Sequence, residues 1–229
     1  MTREEETLEG LTDTKGKRRR GSSSSEKACW PAWIMSFMLA TTLSGCGAAR
    51  PSKYYQLTVP GERPAAPGAD PVAATLLFGP LSASHLYRED RIVYSGGGEQ
   101  MGTYEYQRWA EPPTEMIQMV LLRRLRSSGH YKSVYAERSN ASGDFLIRGR
   151  LYDFKEVSAS TMVARLTFEL EMRDLKSGVT VWTRYYSHDE SVAGKDVPAI
   201  VAALNRNVQL ASEEMLASLE QYFAEHPFK

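Results

Sequence analysis

The chain has little of what metal and thiol chemistry require: its 229 residues include two cysteines and four histidines. His85, His130, His188 and His226 form no recognisable metal spacing with one another or with a cysteine. A GxSxG elbow and an HExxH helix are both absent. Ser95-Gly96-Gly97-Gly98 has the glycines of a phosphate loop but no following lysine, so it reads as a turn. His188-Asp189-Glu190 has the residue types to orient an acid or base, but reads as a polar strand-end turn. An excess of one charge is missing as well, with 28 basic against 28 acidic side chains, so no overall field draws the chain to nucleic acid. Nor does any apolar run reach the about 20 residues that a membrane-spanning helix needs. These absences point away from cofactor, metal and nucleic-acid binding. A hydrolase built from scattered carboxylates stays open.

What the N-terminal part does contain is ordered by texture. An acidic run, Glu4–Glu6, and a basic run, Arg18–Arg20, come with almost no apolar residues, and such a stretch is expected to be disordered. Lys27 then precedes the apolar run Trp30–Leu43, followed by small residues, which is the layout of a secretory signal. The run ends in Leu43-Ser44-Gly45-Cys46, which resembles the lipobox of bacterial lipoproteins. That resemblance implies removal of residues 1–45 and acylation of Cys46, with Gly47 compatible with sorting to an outer membrane in a two-membrane cell. Cys29 would leave with the signal, so the mature chain would carry neither a free thiol nor a disulfide.

Beyond a tether at 46–52, residues 53–229 read as one α+β domain. Lys53–Val59 is a strand, Pro60–Pro71 an irregular connector, and Val72–Phe78 a strand stopped by Gly79-Pro80. Leu86–Tyr87 and Ile92–Tyr94 flank a charged turn, and Met101–Arg108 suits a strand. Glu115–Ser128 is a helix opened by Pro112-Pro113 and stopped by Gly129, with Met116, Met119, Val120, Leu122 and Leu125 as its apolar stripe. Arg123, Arg124 and Arg126 near its end match the helix dipole. Strands follow at Tyr131–Glu137, Asp144–Val157, Thr161–Arg173 and Val179–Ser187. In the third of these, Ala164, Leu166, Phe168, Leu170 and Met172 alternate with polar residues. Three sequential strands with short turns make an antiparallel meander. The last element is a long helix capped by Asp196, with Pro198 in its first turn and an apolar stripe from Ile200 to Phe223. The expected fold is a mainly antiparallel sheet with two principal helices packed on one face.

The order of motifs carries a resemblance. Lipobox, Lys53-Tyr54-Tyr55-Gln56-Leu57, Leu77-Phe78-Gly79-Pro80, Leu86-Tyr87-Arg88, Arg91-Ile92-Val93-Tyr94 and Arg108-Trp109-Ala110-Glu111-Pro112 together are similar to the ABC-type transport auxiliary lipoproteins. The chain departs from that pattern at Ser82-Ala83-Ser84-His85 and at Pro113. The resemblance implies a noncatalytic accessory role in envelope lipid or hydrophobic-solute transport. Its partners would be a mammalian-cell-entry-type substrate-binding protein with an ABC permease and ATPase, and a homo-oligomer is compatible with it. Cys46 is the candidate lipidation site. Arg108, Trp109, Glu111, Tyr54 and Tyr55 are the candidate structural or partner-contact residues. A lipid-anchored structural adaptor of another envelope complex is the alternative class.

Overall fold

Strict alternation sets the centre of the molecule. In the computed structural model, which describes residues 50–58 and 71–228, Ala164, Leu166, Phe168, Leu170 and Met172 are all fully buried on one face of β7 (Met162–Asp174). Arg165, Glu169 and Glu171 occupy the other face. β7 pairs antiparallel along both edges, with β6 (Phe145–Ser158) and β8 (Thr180–Ser191), which is the meander expected from the sequence.

The second edge of β6 is shared by two strands. β2 (Val72–Ala83) lies along Phe145–Leu151 and β3 (Arg91–Ser95) along Lys155–Val157, both parallel to β6. Outside β2 lies β5 (Tyr131–Ala136), also parallel. Outside β3 lies β4 (Met101–Trp109), antiparallel, and then β1 (Lys53–Tyr55), parallel to β4. The eight-stranded sheet is mostly antiparallel, because its two long ladders, β6–β7 and β7–β8, are. The parallel pairs join strands far apart in sequence, where no turn chemistry announces them.

Three strand expectations change, one being that β8 runs through His188-Asp189-Glu190 to Ser191, where a turn was expected after Ser187. Gly79-Pro80 does not end the second strand: β2 runs on to Ala83 with a register shift against β6 between Phe78 and Leu81. Exposed Pro80 sits in that irregularity, where a missing N–H interrupts no ladder bond. Gly79 lies under the Glu137–Arg148 ion pair, and a Cβ there would overlap both side chains. The first strand is also shorter than expected. It ends at Tyr55, after which Leu57 turns into the core.

The two helices, α1 (Pro113–Ser128) and α2 (Val197–Glu225), cover the buried face. α1 packs on β2 and β5, α2 on β7 and β8, and the helices also meet each other. Gly129 ends α1 in the left-handed region at φ 67°, a conformation that costs glycine nothing. Asp196 caps α2 by accepting a hydrogen bond from the Ala199 amide at 2.9 Å. Ile117 and Leu121, rather than Met119 and Leu122, complete the buried stripe of α1. Among the described residues no helix is long and apolar enough to cross a membrane. The Trp30–Leu43 run, Cys46 and positions 60–70 of the connector lie outside the described residues.

Candidate functional site

β1 lies against the end of β4 in the register Tyr54–Arg108 and Tyr55–Trp109, so four of the residues singled out above meet at one edge of the sheet. Asp90, just before β3, closes the corner from its other side. Arg108 Nη1 donates to Asp90 Oδ1 at 2.8 Å and Oδ2 at 3.1 Å, and the Trp109 amide donates to the Asp90 carbonyl at 2.6 Å. The Ala110 amide donates to the Tyr55 carbonyl at 2.7 Å. Trp109 is fully buried, its ring 5.2 Å from that of Phe154. Its indole Nε1–H has no hydrogen-bond partner among the described residues. The Tyr55 hydroxyl donates to Gln107 Oε1 at 2.7 Å. Burial, and then the charge of Asp196, push its phenol above the ordinary value. The corner is a clamp made of a buried ring and a charge-assisted pair, and it leaves Tyr54 and Glu111 in solvent.

Glu111 continues this edge into a trough along α1. Two adjoining hollows share Glu111 and Met119 as lining: one of about 140 Å³ against Leu57 and Met116, one of about 460 Å³ against Leu81 and Leu122. The segment after β1 is held in place from α2. The Thr58 amide donates to Asn205 Oδ1, and Gln209 Nε2 donates to the Thr58 carbonyl, each at 2.8 Å.

The remaining motifs do not assemble. His188 Nε2 meets Glu214 Oε2 at 3.0 Å, Glu190 pairs with Arg206, and Asp189 receives both Arg165 Nε and Nη2. Those two hydrogen bonds hold the Asp189 carboxyl below the usual carboxylate range. Ser95 ends β3, and Gly96–Gly98 lie in the β3–β4 connection, where Gly97 takes a positive φ of 86°. Of the three arginines of α1, Arg124 pairs with Glu213, Arg126 Nε donates to the Val134 carbonyl at the edge of the sheet, and Arg123 is exposed. Among the described residues no group of three or more histidine, cysteine or acidic side chains is placed to hold a metal ion.

Sequence reasoning missed Asp90, Gln107 and the far wall of the trough at Glu137 and Arg138. Asp90 stands in the charged run Arg88-Glu89-Asp90-Arg91, a weak signal that does not say which arginine it meets.

The family model described as ABC-type transport auxiliary lipoprotein component matches residues 55–216. No curated protein matches the chain. Protein XCC0632 from Xanthomonas campestris has a similar structure, with a TM-score of 0.63 at 21% identity over 72% of this chain and 92% of its own. A second solved protein, uncharacterised, gives 0.60 at 14% identity over 74% and 99%. At such identities the likeness is one of fold.

Proposed function

We propose, for a chain that belongs to the ABC-type transport auxiliary lipoprotein component family, that it is a noncatalytic, lipid-anchored accessory subunit of an envelope transporter of lipids or hydrophobic solutes. It docks on the periplasmic mammalian-cell-entry-type component, and a separate cytoplasmic subunit hydrolyses the ATP. The observation that carries the reading is the extent of the family match, which runs from the Tyr55 corner into the second half of α2. Support also comes from the nature of the corner: Arg108 and Asp90 are spent on each other, and its exposed residues suit contact better than chemistry. Cys46 holds the domain at a membrane through its acyl groups, the outer one in a cell with two membranes, because each buried methylene contributes about 0.8 kcal/mol and two or more chains make retention stable.

Affinity purification through a C-terminal tag from detergent-solubilised membranes tests the reading. Recovery of a permease, an ATPase and a mammalian-cell-entry-type protein is the expected result. A correctly anchored protein that brings down none of them refutes it. Cys46→Ala should move the protein from the membrane pellet to the soluble fraction, and retention with an undiminished acylation signal would refute the anchor.

A further inference from the structure

We propose that the trough along α1 is the docking groove for an amphipathic polypeptide segment of the neighbouring transport subunit, carrying large apolar side chains flanked by lysine or arginine. The inference deepens the accessory-subunit reading and rests on it. α1 has more apolar positions than its core uses. Met116, Ile117, Val120, Leu121 and Leu125 are buried, whereas Met119 is 43% exposed and Leu122 half-buried on the flank that lines the trough. A helix that served the core alone would turn polar there. An exposed methionine beside a hollow offers an unbranched, polarizable side chain that adapts to an incoming one.

The charges of the lining select the occupant. The lining of the larger hollow holds three glutamates and one arginine, Arg138. Glu137 is already paired with Arg148. Glu111, just before α1, and Glu115, in its first turn, are exposed and, like Arg138, have no ion-pair partner among the described residues, so the carboxylates outnumber the one free cation. An anionic lipid headgroup meets repulsion from these carboxylates, and an acyl chain would strip water from them without replacing its hydrogen bonds. A basic, apolar peptide satisfies both parts of the groove, with the charges steering and orienting it.

The test is photocrosslinking in the full chain, in its own cells, with p-benzoylphenylalanine replacing Met119 or, separately, Tyr185 on the sheet face away from the helices. Position 119 should capture a permease or mammalian-cell-entry-type subunit, through a peptide that contains both apolar and basic residues. Glu111→Lys with Glu115→Lys should lower that yield by about tenfold, and the paired glutamine changes by less, while the folding equilibrium in urea falls by no more than about fivefold, the about 1 kcal/mol that a charge at a helix N-terminus contributes. Capture of a second copy or of lipid, no capture at 119, or a yield indifferent to charge reversal overturns the groove. If the probe at 185 or the tagged pull-down still recovers transport subunits in those cases, the accessory reading stands without it. If neither does, both fall.

Discussion

Trp109 carries a donor that no group among the described residues receives, so the ring and its N–H can be separated by substitution. Trp109→Ala removes a fully buried ring packed on Phe154, and should cost about 3–5 kcal/mol in urea unfolding. Trp109→Phe leaves most of the packing and discards the unpaired Nε1–H, so its cost should stay below about 2 kcal/mol. A phenylalanine variant as unstable as the alanine one would mean that the indole has a partner. Arg108→Ala breaks a pair whose side chains are 26% and 38% exposed, which water screens, and should cost about 1 kcal/mol. The sequence drew attention to Arg108 and Trp109 through their motif, while Asp90 and Phe154, which make their surroundings, lie in other strands. Asn207 was invisible in the same way. It interrupts the apolar stripe of α2, yet it is buried because Nδ2 donates to the Ala164 carbonyl at 2.8 Å.

Individual elements were legible wherever one short stretch holds all the causes. Gly129 and Asp196 mark helix ends through their own backbone preferences, and the alternation from Ala164 to Arg173 defines two faces without reference to any partner. Pairing was legible only for the meander of neighbouring strands β6, β7 and β8; β2 sits between β5 and β6, and nothing near residue 72 names either. The extension of β2 past Pro80 likewise depends on the irregular register against β6. Gly149 of β6 has the same non-local origin. A Cβ there would overlap the Glu169 carbonyl and the side chains of Leu170 and Leu81. Gly149→Val should therefore cost about 1–3 kcal/mol or more, exceeding the about 1 kcal/mol for Gly129→Ala, whose strain is confined to one backbone angle. The two urea midpoints, measured side by side, check that order.

For the whole molecule, the buried phenols set an alkaline limit. Burial is the first cause that raises Tyr87, Tyr104, Tyr131 and Tyr186, and Tyr104 also donates to Glu156 at 2.6 Å. The folded value lies above the unfolded one, so the stabilisation is complete below the ordinary phenol value of about 10. It is lost as pH rises from there towards the folded values. Phenolate absorbance from these groups should appear together with loss of the β-sheet circular dichroism. Ionisation of all twelve tyrosines with the dichroism intact would contradict this. The shared edge of β6 has a consequence in time. β2 and β3 emerge early in synthesis, yet each borders a strand that begins only at Phe145. Until then the edge that each turns towards β6 cannot be satisfied, and loop-closure entropy makes such distant pairings late and slow. A chain so wired cannot lock into a rigid body until the second half of the domain has been made.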